Sequence, residues 1–207
     1  MVYQTEVVNL QQLPPAETVL SEREQAFYQT LKLPKRRTEW LGGRLALKRL
    51  LVAHAGYPYA QLDVLAQDGQ GKPIITAKGK KVDIPFSITH SHGFAMAAIA
   101  PEQKYIGIDL EKIAPRIKAW KTDFFHPSEL AADTDEFLTQ LWTHKEALVK
   151  LLGSGLTINS FDVRVVGENP QFLGRAEEIY ISLGSPKITL QSLSFLPGFC
   201  CSVAVAN

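Results

Sequence analysis

The chain is poor in cysteine: Cys200 and Cys201 are the only two in 207 residues, and they are adjacent. On a strand they point to opposite faces, so they do not bridge each other. A disulfide framework is excluded, and the usage suits a reducing cytoplasm. Charge of one sign is also lacking. Lys plus Arg number 22 against 21 Asp plus Glu, a formal net charge of +1. No global basic field argues for nucleic acid, so any anion site must be local. No apolar run approaches the ~20 residues of a membrane span. The start, Met1-Val2-Tyr3-Gln4-Thr5-Glu6, lacks the basic segment and apolar run of a signal peptide. The expectation is a cytoplasmic protein that engages neither membrane nor nucleic acid. No Ser/His/Asp or Cys/His hydrolytic arrangement is recognisable, and His54, His126 and His144 lack the spacing of a metal site.

What is present is ordinary globular composition, 45% hydrophobic and 21% charged. A chain of this length buries one good core or two small ones. The halves echo each other. Arg44-Leu45-Ala46-Leu47-Lys48-Arg49-Leu50-Leu51 aligns with Lys145-Glu146-Ala147-Leu148-Val149-Lys150-Leu151-Leu152. Ser21-Glu22 matches Ser128-Glu129, and Gly93-Phe94-Ala95 matches Gly198-Phe199-Cys200. Repetition at about half the chain length implies duplication. The fold expected is α+β: two similar α+β halves in a pseudo-two-fold arrangement, residues 1–111 and 112–207, joined at about 112–122, with a ligand cleft at their junction. In this alignment Glu146 falls opposite Leu45 and Arg44 opposite Lys145, so the acid belongs to the second half alone.

Local signals place the elements. Ser21 caps a helix with Glu24 at its third position. Residues 38–54 read as an amphipathic helix ended by Gly56-Tyr57-Pro58. Residues 85–100 read as a hairpin turning near Ser91-His92-Gly93, and 105–111 as a further strand. Pro127-Ser128-Glu129 starts a helix, 136–152 form a second long one, and Gly153 and Gly155 stop it. The last third reads as short strands and turns.

Two motifs carry the chemistry. In Gly107-Ile108-Asp109-Leu110-Glu111 the carboxylates are two apart on a strand and share a face. In Trp142-Thr143-His144-Lys145-Glu146-Ala147-Leu148-Val149-Lys150, Glu146 and Lys150 are four apart and neighbours on one helix face. Three carboxylates from two elements, with a lysine beside one, suit a hard divalent cation and a phosphate-bearing ligand. Asp109, Glu111 and Glu146 are therefore the candidate metal ligands. Arg37 and Arg44, seven apart, share a helix face where two guanidinium forks can grip a phosphate. Arg36 reads as a solvated basic helix end, and His92 as a surface loop histidine. The stretch Lys112 to Lys121 is basic with apolar interleaving and suits docking of an acidic helical partner.

The pair G-x-D-x-E and W-x-x-K-E-A-x-x-K, in this order and separation, resembles the signature of the Sfp-type 4'-phosphopantetheinyl transferases, in the W-x-x-K-E-A variant. The resemblance covers roughly residues 33 to 157. It extends to Gly71-Lys72-Pro73, similar to the family's G-K-P turn, and to Phe86-Ser87-Ile88-Thr89-His90-Ser91, similar to its F-N-x-S-H-S. Ser87 replaces the family's Asn, and Thr89 replaces Ser while keeping a hydroxyl donor.

The resemblance implies Mg²⁺-dependent transfer of the 4'-phosphopantetheine arm of coenzyme A to a serine of an apo acyl or peptidyl carrier protein, releasing adenosine 3',5'-bisphosphate. Mn²⁺ is an acceptable substitute. It implies that Glu146 is the base, directly or through a metal-bound water, and that Lys150 contacts the diphosphate. Arg37, Arg44, Lys72, Thr89 and His90 are expected to hold coenzyme A, with Arg37 and Arg44 at its 3'-phosphate; Glu146, Lys150 and His90 are expected to serve the catalytic step. The internal duplication favours a monomer. Two other readings stay open: a Mg²⁺-dependent phosphodiesterase on the same ligands, and a non-catalytic coenzyme A- or carrier-binding module.

Overall fold

Ser21 opens the first capped α-helix in the computed structural model of the chain, which describes residues 2–66, 73–153 and 155–207. Its side chain accepts from the backbone N–H of Glu24, whose carboxylate accepts in return from the N–H of Ser21, a complete capping box. The chain divides into two units, residues 1–101 and 102–207.

In the first unit β1 (Gln4–Asn9) is followed by α1 (Ala16–Val19), α2 (Glu22–Thr30) and the long α3 (Pro34–Ala55). Then come β2 (Leu62–Ala66), β3 (Pro73–Ala77), β4 (Lys80–Lys81), β5 (Phe86–Ser91) and β6 (Phe94–Ile99). The helix α3 starts four residues before the expected point because Pro34 sits in its first turn, where proline's missing N–H costs nothing. Gly56, at φ 72°, ends it in the left-handed conformation. The β5–β6 hairpin turns through His92 and Gly93, both at positive φ, as a tight turn between twisted strands requires. One antiparallel sheet has the order β1-β6-β5; a second has the order β2-β3-β4. Leu45, Leu47, Leu51, Leu62, Val64, Ala97 and Ile99 are buried in the core of this unit.

The second unit runs β7 (Tyr105–Lys112), α4 (Lys118–Phe124), the long α5 (Asp135–Leu152), β8 (Val163–Val166), β9 (Asn169–Phe172), α6 (Gly174–Ser182), β10 (Ile188–Leu193) and β11 (Phe199–Ala206). Its main sheet has the order β10-β11-β7, all antiparallel, and β8 pairs with β9. Each unit therefore repeats one plan: a strand, a long helix, a hairpin, then two strands of which the last is central in the sheet. The α+β class follows directly.

Several expectations are corrected. The division falls at Pro101, not at 111, because β7 pairs along its whole length with β11. The G-x-D-x-E strand thus belongs to the second unit. Pro127–Glu129 forms a single 3₁₀ turn rather than a helix start, with the Glu129 carboxylate turned back onto the His126 N–H. The last third also contains a helix, α6, which lacks a local capping side chain. Its Arg175 N–H donates instead to the carboxylate of Asp162.

The register of the duplication also shifts. Lys48 and Lys145 each lie eight residues before the left-handed glycine that ends their helix. Each is buried and bonded to a buried glutamate. Lys48 Nζ donates to Glu24 Oε2 and to the carbonyl of Val19, and Lys145 Nζ donates to both oxygens of Glu129 and to the carbonyl of Phe124. Each glutamate also accepts a strand N–H, Val64 to Glu24 and Val165 to Glu129, both at 2.8 Å. So Lys48, not Arg44, is the counterpart of Lys145, and Arg49, not Leu45, stands opposite Glu146.

Candidate active site

The residues 107, 109 and 111 lie on one face of β7. On that face Gly107 is approached so closely by α5 that a Cβ there would sit 1.9 Å from the Ala147 carbonyl oxygen and 2.5 Å from the Leu151 nitrogen. No other residue type permits this crossing. It brings Glu146 and Lys150, on α5, to the carboxylates of β7. Lys150 Nζ donates to Asp109 Oδ1 at 2.7 Å and to the Ile108 carbonyl at 3.0 Å. Asp109 is buried. Glu111 faces Arg116, whose Nη2 lies 3.8 Å from its Oε2.

Glu146 is half-buried, and burial pushes its carboxyl above the usual range. Asp109 adds to the rise, Lys150 opposes it, and Glu111 adds a smaller repulsion. The three carboxylates thus share one electrostatic environment with more negative charge than Lys150 offsets. Among the described residues no group of three or more His, Cys, Asp or Glu side chains is drawn together closely enough to hold a metal ion. The donor set is nevertheless that of a hard divalent cation, and the repulsion on Glu146 is what a cation would relieve.

The first unit holds the counterpart of this cluster in altered form. Glu6 is opposite Ala97 on β6, four residues after Gly93; Asp109 is opposite Ser202 on β11, four after Gly198. Glu6 thus matches Asp109, and Arg49 matches Glu146. Arg49 and Glu6 form an ion pair at 2.8 Å. The acidic pair of the second unit is an internally neutralised pair in the first.

The first unit also carries a separate cavity of about 450 Å³ lined by Arg36, Trp40 and Arg44 from α3, with Phe27, Glu39, Ile88 and His90 among its other walls. Arg36, Trp40 and Arg44 are spaced four apart, one turn each, and form a stripe. The Arg44 guanidinium lies 4.2 Å over the Trp40 ring and donates to the Val64 carbonyl. Burial lowers its pKa to about 10, with Glu24 opposing and Arg36 adding to the fall; it stays charged at neutral pH. His90 Nδ1 is 3.6 Å from Glu39 Oε1.

Arg37 is not in this cavity. Its guanidinium donates to the carbonyls of Leu31 and Gln29, closing the C-terminus of α2. Arg36, read from sequence as a solvated helix end, lines the cavity instead. Thr89 is buried on the face of β5 opposite to Ile88 and His90. Lys72 lies outside the described residues. Trp40, Glu39 and Phe27 were not singled out in the sequence; the four-residue stripe of Arg36, Trp40 and Arg44 was the signal that could have found Trp40, whereas Glu39 and Phe27 lie off it. In the basic segment, Ile117 is 78% exposed, and Lys121 pairs with Asp133.

The sequence profile of the 4'-phosphopantetheinyl transferase superfamily matches residues 105–195, which include both motifs of the carboxylate cluster. Holo-[acyl-carrier-protein] synthase of Geobacillus sp. (strain WCH70) is 31% identical over 93 residues, which cover 42% of this chain and 76% of that protein. 4'-Phosphopantetheinyl transferase HetI of Nostoc sp. is 29% identical over 154 residues, 70% of this chain and 64% of that protein. The 4'-phosphopantetheinyl transferase of Bacillus subtilis is 36% identical over 105 residues, 46% of this chain and 44% of that protein. The chain belongs to the 4'-phosphopantetheinyl transferase superfamily. It spans less than two thirds of the length of the Nostoc and Bacillus subtilis transferases. No helix among the described residues is long and apolar enough to cross a membrane.

Proposed function

We propose that the chain transfers the 4'-phosphopantetheine arm of coenzyme A to a serine of an apo acyl or peptidyl carrier protein and releases adenosine 3',5'-bisphosphate. The observation that carries this reading is the meeting of Asp109, Glu111, Glu146 and Lys150 over Gly107. Family membership supports it, as do the names of the relatives.

The serine Oγ forms a bond to the phosphorus next to the pantetheine, and the bond from that phosphorus to the adenosine 3',5'-bisphosphate oxygen breaks. The serine proton passes to the Glu146 carboxylate. Lys150 offers its ammonium to the diphosphate. Asp109, Glu111 and Glu146 would hold Mg²⁺ or Mn²⁺, which when bound supplies positive charge against the diphosphate. Arg36 and Arg44 bind the phosphate at the nucleotide end, and His90 donates to it from another wall of the same cavity. Trp40 and Phe27 offer apolar surface to the base. The contribution of these side chains is positioning and electrostatics.

The carrier docks through the basic segment that includes Lys112, Arg116 and Lys121. The protein acts as a cytoplasmic monomer on these partners. Mass spectrometry of a panel of apo carriers with coenzyme A and Mg²⁺ tests the reading. A carrier that gains the arm supports it. Free phosphopantetheine without carrier modification would indicate a phosphodiesterase, and bound coenzyme A without turnover a binding module; either outcome overturns it.

A further inference from the structure

The two carboxylates of β7 each face an internal cation, held in different ways. Lys150 is hydrogen-bonded to Asp109 and to the strand backbone. Arg116 is not hydrogen-bonded to Glu111: 3.8 Å between Nη2 and Oε2 is beyond hydrogen-bond reach. Its guanidinium lies 4.8 Å over the ring of Trp120 instead. Trp120 is itself fixed, packed against Phe124, Phe125 and Trp142 with ring centroids 4.9 to 6.1 Å away. The chain leading to Arg116 is pinned where the Ile113 N–H donates to the Gly198 carbonyl. Arg116 Nε is buried and has no hydrogen-bond partner among the described residues. The guanidinium is therefore positioned by its aromatic platform and acts on Glu111 as a charge.

We propose that Arg116 is a fixed counter-cation of Glu111 that competes with the divalent ion and so lowers the affinity of the free protein for it. This rests on the reading that Asp109, Glu111 and Glu146 hold that ion. A charge held by stacking on Trp120 stays in place when the ion arrives, so Glu111 is shared between two cations. A ligand diphosphate brings the negative charge that offsets this excess, and the ion is taken up together with the diphosphate rather than ahead of it.

The sign of one effect separates this from a merely structural role. Mn²⁺ binding to the free full-length protein is measured by electron paramagnetic resonance of the unbound ion, without carrier or turnover. Arg116→Ala is expected to tighten Mn²⁺ binding about three- to tenfold, the scale of a half-exposed ion pair. Arg116→Lys keeps the charge and stays within about twofold of the original. Arg116→Gln, which keeps length and loses charge, follows Arg116→Ala and serves if the alanine variant does not melt cooperatively. Binding that weakens or stays unchanged in the uncharged variants overturns the proposal. The metal reading has its own control in Asp109→Asn. If the original protein binds Mn²⁺ and Asp109→Asn abolishes it, that reading stands whatever Arg116 does. If neither the original protein nor Arg116→Ala takes up Mn²⁺, or Asp109→Asn leaves uptake unaltered, that reading and the role of Arg116 fall together.

Discussion

Gly107 and Ala147 set how closely the long helix of the second unit crosses its strand: the missing side chain of one lies against the backbone carbonyl of the other. An added methyl would sit 1.9 Å from that oxygen, and the obstacle is main chain rather than a flexible side chain. Gly107→Ala therefore lifts α5 off β7. We expect a loss of about 3 kcal/mol in urea unfolding, the upper end for overpacking. Arm transfer should fall in folded protein as well, because Glu146 and Lys150 move away from Asp109. An unchanged unfolding midpoint would contradict the close crossing.

Chelation tests the carboxylate cluster as a whole. Transfer is expected to stop in excess EDTA and to return with Mg²⁺ or Mn²⁺. Full activity in chelator would remove the metal role from Asp109, Glu111 and Glu146.

Glu146→Gln keeps the shape of the side chain and one acceptor oxygen but loses charge and basicity. The turnover number is expected to fall by about a hundredfold or more, the range of general-base contributions. Carrier affinity, measured separately by calorimetry, should hold. Lys150→Ala should slow transfer as well. Near-original turnover in Glu146→Gln would place the base elsewhere.

The two neighbouring arginines of α3 should separate by assay. Arg44→Ala is expected to weaken coenzyme A about ten- to a hundredfold, as the loss of a charged hydrogen bond does, and dephospho-coenzyme A much less. Arg37→Ala should leave both affinities alone and lower the melting temperature, since its guanidinium holds the end of α2. Equal losses for both ligands in Arg44→Ala would take Arg44 away from the 3'-phosphate.

His144 makes part of the stability acid-sensitive. It is buried, its Nε2 is 2.9 Å from Ser192 Oγ, and burial lowers its pKa from 6.5 to about 4. Between those values the unfolded chain binds a proton that the folded one refuses. The associated stability is complete above about pH 6.5 and is lost as pH falls towards 4. The loss amounts to about 2 kcal/mol at pH 5 and about 3 kcal/mol in full. Urea unfolding at pH 7.5 and pH 5 should show His144→Gln losing less stability on acidification than the original protein. An identical pH dependence would refute the buried neutral histidine.

What sequence reading captured was carried by local chemistry. The Ser21–Glu24 box, the helix-ending glycines 56 and 153, and the turn at His92 and Gly93 each act within a few residues. The shared face of residues 107, 109 and 111 follows from strand geometry alone. What it missed depended on distant partners. The unit boundary is set by β7 pairing with β11, far along the chain. The cap of α6 comes from Asp162. Arg36 and Arg37 are both compatible with the face that carries Arg44, and only the carbonyls at the end of α2 decide which is withdrawn. The duplicated helices were aligned one turn out of step because leucines recurring every three or four residues match nearly as well after a four-residue slip. The buried lysines and the left-handed glycines eight residues after them fix the step.

Those lysines also constrain how the chain can change. Losing either member of Lys48–Glu24 or Lys145–Glu129 strands a buried charge, at a cost of about 3–5 kcal/mol. A single substitution is blocked from both sides, and only a simultaneous exchange to well-packed apolar residues would escape. Exposed Glu6–Arg49 carries no such lock, and its counterpart positions bear Asp109 and Glu146. Each buried pair therefore resists single changes, while the unlocked positions beside it are free to diverge into chemistry.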